Sequence, residues 1–378
     1  MLPVVSALAV ALLASGAAGS SSAVTLSGVS PADDVPVPGP VATASPSPSP
    51  APAPAPSANP LAGRPWGVYK GKGEPAWEPY VDATGDDKAL LGKIALRPKA
   101  RWFGKWISNA TIQDKVHDYV ANATGGNPDT LVQLAVFRMA PWEHEACTRL
   151  PTLAEQVSFR QWIRSFGAGI GSAHAAVVLQ PDGPFALCAP GGSTLPSRLI
   201  AYAARRLSTL PNTSVYIDGG ASDWPAKHPE RSATILVRAG VRYARGFALN
   251  STHYASTADN VTYGAAVAAE LARRGIPDKH FVVNTSSNGQ PFTFGHAPGP
   301  DPDNATACAT TLDTACVTLG IPPTAAVAST RWGLARSVRV LARDHVDGFL
   351  WFGRPWLYRQ ASPFDRDRAL ALARTTPY

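Results

Sequence analysis

Ala175-Ala176-Val177-Val178-Leu179-Gln180-Pro181-Asp182 is the stretch on which the fold turns. Five small or branched apolar residues in a row leave no polar face for solvent. Such a run reads as a strand covered on both sides, as in a parallel sheet. Gln180, Pro181 and Asp182 close it. An acid at the carboxyl end of a buried strand is where an α/β barrel keeps its chemistry.

The same pattern recurs outward from there. Strand-like runs fall at 131–137, 214–217, 246–249, 281–283 and 348–352, with earlier candidates at 66–69 and 101–103. Amphipathic helical stretches separate them at 112–123, 153–166, 196–207, 258–273 and 334–343, and a last helix is expected over 363–373. Strand–helix alternation implies an α/β fold with a parallel sheet, and the length favours a barrel of the TIM type over an open sheet. No Gly-x-Gly-x-x-Gly follows an early strand and no phosphate-loop signature occurs, which disfavours nucleotide-binding folds.

The chain has 378 residues and is 45% hydrophobic, enough for one large domain with appendages. The formal charge of +7 is spread out, with no run of five basic residues, so no nucleic-acid partner is expected. Residues 1–23 read as a signal peptide, with an apolar core from Val4 to Ala14 and small residues at Ala17-Ala18-Gly19. That core is too short for a bilayer span, and no later stretch is long enough either, so no membrane partner is expected. Residues 24–58 form a Pro/Ser/Ala-rich linker that stays extended. The domain proper covers 59–378. The mature protein is expected to be secreted and monomeric, with no cofactor and no metal.

Four cysteines fit an oxidising compartment. Three pairings are open; Cys147–Cys188 with Cys308–Cys316 is preferred. A metal site at Cys147 with His144 and Glu145 is the rival, and the absence of CxxC spacing weighs against it.

The residues that follow each run carry the chemistry. They are Arg138, Glu143, His144 and Glu145; then Asp182; then Asp218; then Asn250 and His253; then Asn284; then Arg354 and Trp356. In a barrel all of these reach one rim. Acids and amides bond sugar hydroxyls, and indoles stack on pyranose faces. Trp102, Trp142, Trp224 and Trp356 lie beside the polar positions. Glycoside hydrolysis needs a proton donor and a group that activates water or attacks directly. Asp182 is the expected donor, because burial and neighbouring acids raise its pKa. Asp218 is its neighbour one strand on.

With these segments in order, the chain resembles glycoside hydrolase family 6, the secreted cellulases. Val177-Val178-Leu179-Gln180-Pro181-Asp182 is similar to the family's Val-Glu-Pro-Asp segment. Val215-Tyr216-Ile217-Asp218-Gly219-Gly220-Ala221-Ser222-Asp223-Trp224 is similar to its Asp-Ala-Gly-His-x-x-Trp segment. Gly246–Leu249 with Asn250, the run Asn284-Thr285-Ser286-Ser287-Asn288-Gly289, and Gly348-Phe349-Leu350-Trp351-Phe352 resemble three further segments. The resemblance implies a distorted, incomplete α/β barrel that cleaves β-1,4-glucan with inversion. It implies Asp182 as general acid, Asp218 as a supporting acid, and Trp102, Trp224 and Asn250 as glucan contacts. Trp356 joins the expected substrate contacts from its place at the rim.

The departures from the family are equally specific. Its Arg-Asp-Cys, whose Asp tunes the donor, is replaced by Pro141-Trp142-Glu143-His144-Glu145-Ala146-Cys147; Glu143 or Glu145 could substitute from a remodelled loop, and Glu145 is taken as the catalytic candidate. The family's Lys, Glu and base-type Asp after the last strand give way to Gly353-Arg354-Pro355-Trp356-Leu357-Tyr358-Arg359. Asp365 is the nearest acid downstream and reads as a helix cap. Two functions follow: an inverting β-1,4-glucanase with an unusual water-activating group, or an inactive glucan-binding protein on the same scaffold.

Overall fold

The computed structural model describes residues 59–378 apart from 226, 227, 297, 298 and 300. The expected signal peptide at 1–23 and linker at 24–58 lie outside the described residues.

Seven strands form one sheet: β1 Arg101–Gly104, β2 Val132–Phe137, β3 Ala175–Leu179, β4 Thr213–Asp218, β5 Gly246–Leu249, β6 His280–Asn284 and β7 Val346–Leu350. Their order in space is their order in sequence, and every neighbouring pair is parallel. Among the described residues no ladder joins β7 back to β1. Two single bonds bridge that seam instead. The Ala100 amide donates to the Trp351 carbonyl at 2.8 Å, and the Trp102 indole N–H donates to the Phe352 carbonyl at 2.7 Å. The result is an α/β barrel left open on one side.

The pleat sorts the side chains. Ala135, Ala176, Val178, Tyr216, Ala248 and Val282 pack together inside the curl. Their sequence neighbours Leu134, Val136, Val177, Leu179 and Val283 belong to the larger outer cluster, under the helices. Alanines at three inner positions leave room for Tyr216, whose hydroxyl donates to Asp347 at 2.7 Å. Burial alone would raise the Asp347 carboxyl, but bonds from Arg245 and His280 outweigh it and hold the group below its ordinary range.

The covering helices are α1 Trp77–Asp82, α2 Gly85–Ala95, α3 Ile112–Thr124, α4 Leu153–Ile170, α5 Leu195–Leu207, α6 Pro229–Arg238, α7 Thr257–Arg273, α8 Arg336–His345 and α9 Arg366–Thr375. Local sequence starts and stops them. The Thr152 side chain accepts from the Glu155 amide while Glu155 reaches back to the Thr152 amide, a reciprocal cap that opens α4. Gly125, in the left-handed region, ends α3.

Six of the expected strands and six helices appear close to their expected bounds, and β7 begins and ends two residues earlier than 348–352. The run 66–69 contributes only a single bridge from Trp66 to Leu131. α1, α2 and α6 were not anticipated. Both preferred disulfides, Cys147–Cys188 and Cys308–Cys316, are formed.

Candidate active site

Strand parity delivers the site. Two residues past an inner side chain comes another facing the same way. Thus Gln180 follows Val178, Asp218 follows Tyr216, Asn250 follows Ala248 and Asn284 follows Val282, all at the carboxyl ends of β3 to β6.

Beyond the strands the backbone is tightly constrained. Glu143, Gln180, Asp182 and Asn250 all have left-handed φ values, between 55° and 68°. Non-glycine residues in that region store strain that the surroundings must hold in place, and such strain gathers at functional sites. The restraints are visible. Gln180 Oε1 accepts from the Met139 amide at 3.1 Å, and the Trp142 indole donates to the Pro181 carbonyl at 2.8 Å. The Cys147–Cys188 bridge fastens the same two loops, those after β2 and β3.

Asp182 and Asp218 are 8% and 1% exposed. Asp218 accepts from the Gly183 and Gly220 amides at 3.0 Å each through Oδ1, and from the Ser251 hydroxyl through Oδ2. Asp182 accepts from the Thr252 hydroxyl at 2.8 Å. Burial pushes the Asp182 carboxyl up to about 7, helped by the charges of Asp218 and Glu143 and opposed by the Thr252 bond. Burial likewise pushes Asp218 to about 7, against its three donors. Three donors favour the anionic form of Asp218, whereas a single hydroxyl serves Asp182. The donor set therefore favours the anion at Asp218 more than at Asp182.

Gly183 is required by this contact. A Cβ there would lie 2.1 Å from the Asp218 carbonyl oxygen. The loop after β4 closes over the same region. Trp224 meets Phe185 edge-on at 5.3 Å between ring centres and stacks on His253 at 5.2 Å. His253 in turn stacks on Phe294 at 4.5 Å, and its Nδ1 lies 2.8 Å from Asp223 Oδ1.

Asp182, Asp218 and Trp224 are thus brought together, and the other expected residues fare differently. Glu145 is exposed and pairs with Arg149 at 2.9 Å, whereas Glu143 is the acid whose charge reaches Asp182. The spacing of Glu145 and Arg149, four residues apart, was the available signal for that pairing. Asn250 is 0% exposed, and its amide nitrogen donates to the carbonyls of Ala255 and Asn284. Asn284 answers by donating to the Asn250 carbonyl and accepting from the Phe352 and Gly353 amides. These two amides clasp the ends of β5, β6 and the segment after β7. The expectation that Asn250 offers its side chain to glucan is therefore corrected, because burial seals it from any ligand. Trp356 is corrected for the same reason. It is 1% exposed and packs against Trp351 in a separate cluster with α2 and α9. Trp102 remains half-buried in the inner layer, with the Arg354 guanidinium 4.2 Å over its ring and Phe137 5.3 Å away.

His253 was expected at the rim, but Ser251, Thr252 and its partner Asp223 were not singled out as site residues from sequence. Their signal was adjacency, since Ser251-Thr252-His253 directly follows the strand-ending Asn250. After β7 the segment 351–360 contains no Asp or Glu. Asp365 caps α9 by accepting from the Arg368 amide at 3.0 Å.

Comparison with known proteins finds relatives in both sequence and fold. Endoglucanase A of Cellulomonas fimi is 33% identical over 219 residues, which cover 58% of this chain and 45% of that protein. Endoglucanase 1 of Streptomyces halstedii is 33% identical over 216 residues, covering 56% of this chain and 65% of that protein. The chain thus spans about half to two thirds of the length of the curated relatives it matches. The endoglucanase Cel6 from Mycobacterium tuberculosis, solved with methyl-cellobiosyl-4-deoxy-4-thio-β-D-cellobioside, superposes with a TM-score of 0.66 at 27% identity, over 84% of this chain and 99% of that one. The catalytic core domain of the cellobiohydrolase Cel6A from Chaetomium thermophilum shares the fold, with a TM-score of 0.61 at 18% identity over 85% and 99%. The family model for glycosyl hydrolases family 6 matches residues 68–357, more than three quarters of the sequence, and the chain belongs to that family.

Proposed function

We propose that this protein is a secreted β-1,4-glucanase in which Asp182 protonates the departing glycosidic oxygen and the anomeric centre inverts. The carrying observation is the unequal support given to two buried carboxyls. Asp218 is held by three donors and Asp182 by one, so the proton waits on Asp182 near neutral pH. An acid of pKa about 7 is matched to donating at that pH. Asp218 and Glu143 serve as the charges that keep Asp182 protonated. Trp224 supplies a stacking surface beside the donor.

Export rests on the leader-like residues 1–23 and on two disulfides, which form in oxidising compartments. In this reading the domain runs over 59–378 behind the linker at 24–58. Inversion requires a second group about 6.5–9.5 Å from the donor to activate water. Since 351–360 holds no acid, that group comes from a different loop.

The test is reducing-sugar release from carboxymethyl cellulose and barley β-glucan, with the anomer of the first product followed by NMR. Release of the α-anomer supports the proposal; release of the β-anomer removes the inverting step. The acid-free segment, with Arg354 lying on Trp102, favours a second reading as an inactive glucan-binding protein. Binding without release decides for that reading.

A further inference from the structure

Among the described residues Trp106 is the one exposed tryptophan, at 57% of its surface. A single exposed apolar side chain needs no explanation by itself. Trp106, however, has a prepared seat. Gly104 shares the parity of Trp102 on β1, the inner side of the sheet, while Phe103 between them points to the outer cluster. A Cβ on Gly104 would lie 2.2 Å from Cζ3 and 2.4 Å from Cη2 of Trp106. The indole therefore fills the inward space that any other residue at 104 would occupy. The rest of the ring stands in solvent at the carboxyl end of β1, the end that carries Asp182 on β3.

The neighbouring indole is less available. Arg354 lies over the Trp102 ring and Phe137 packs beside it. The open aromatic surface at this end of β1 belongs to Trp106. Two residues of strand place Gly104 about 7 Å along from Trp102. The Trp106 ring is thus seated at the next inward position along β1 after Trp102.

We infer that Trp106 is a pyranose-stacking platform that extends the glucan path past Trp102 at the end of β1. The occupant is a β-linked glucan chain, whose sugar rings present flat C–H faces that an indole covers without a directional bond. This inference rests on the glucan reading above and assigns one further subsite to it.

Isothermal titration of cellotriose through cellohexaose, in an Asp182→Asn background that blocks turnover, tests it. Trp106→Ala is expected to weaken the longest oligosaccharide about tenfold, as for loss of one buried aromatic contact, and to leave the shortest unchanged. Trp106→Phe is expected to restore part of the loss. A Trp106→Ala protein that follows the Trp106-containing parent at every length overturns the inference. So does one whose melting point falls while its length dependence stays intact, since Trp106 would then only pack on Gly104. A Trp106-containing parent that binds no oligosaccharide of any length instead removes the glucan reading itself.

Discussion

The Asp218 carboxylate accepts a hydrogen bond from the backbone amide of Gly183, the residue after Asp182, at 3.0 Å. One acid is thereby hooked onto the chain that carries the other. The bond keeps Asp218 beside the loop that carries Asp182, whose pKa its charge raises. Several measurable consequences follow from that hook and its surroundings.

Asp182→Asn removes the proposed proton donor while keeping the shape and the Thr252 contact. Turnover on barley β-glucan is expected to fall by about 10²–10⁴, with oligosaccharide affinity preserved. A mutant that keeps wild-type turnover would show that the proton comes from elsewhere.

The alkaline limb of the pH–activity profile reports the donor's pKa. Glu143 raises the Asp182 pKa and the Thr252 bond lowers it. Glu143→Gln should therefore move the limb to lower pH, and Thr252→Val should move it to higher pH. Glu145→Gln, whose partner is Arg149, is expected to leave it in place. Movement in the same direction for Glu143→Gln and Thr252→Val would contradict the electrostatic account.

The two acids also weigh on stability. A carboxyl whose pKa is about 7 when folded and ordinary when unfolded is neutral in both states below about pH 4, and its destabilising effect grows as pH rises to 7. Asp182→Asn removes that effect, so its gain in melting temperature should be larger at pH 8 than at pH 5. About three pKa units set an upper bound of about 4 kcal/mol. Thermal scans at the two pH values check the sign. Asp347 behaves oppositely: its lowered pKa stabilises the fold above the unfolded value, and that contribution is lost as pH falls through the folded one.

Gly183→Ala drives a methyl group into the Asp218 carbonyl, 2.1 Å from where the Cβ would stand. Relief demands movement of either loop. A loss of about 1–3 kcal/mol is expected by urea unfolding, together with a fall in turnover that binding does not share. Gly92→Ala, where no positive φ is required and the nearest atom to a Cβ is an ordinary 3.4 Å away, is the control for glycine replacement.

Cys147→Ser with Cys188→Ser releases the loop that bears Glu143 from the loop that bears Asp182. The bridge closes 41 residues, and its loss is expected to cost about 2–4 kcal/mol. The alkaline limb should shift to lower pH as Glu143 drifts, which a purely global destabilisation would not produce.

Much of this was legible in the chain. Ala175–Leu179 reads as a strand buried on both faces, and the runs of β4, β5 and β6 each end in a polar residue at the proper parity. Placement of Asp182 and Asp218 followed directly. What escaped has a common physical cause, since sequence shows which way a strand side chain points but not what stands in front of it. Asn250 and Asn284 obey the pattern of rim residues, yet each satisfies the other's backbone and neither reaches solvent. Trp356 follows a strand end too, but the chain turns it into the cluster beneath α9. Asp347 hid β7's true start, because a charge inside a strand is legible only once Arg245 is known to lie across from it. The helices α1 and α2 were missed in a segment rich in Gly and Pro, where tertiary packing overrides weak propensity.

Trp102 is both seam and lining: its indole N–H reaches the Phe352 carbonyl across the gap between the first and last strands, while its ring faces inward under Arg354. The sheet's two free edges are thus latched by a side chain that also lines the inner layer of the barrel. If glucan does reach that ring, binding and cohesion of the scaffold share one side chain. A ligand pressing on the ring would tighten or loosen the latch, so hydrogen exchange at the Ala100 amide becomes a gauge of what the groove holds.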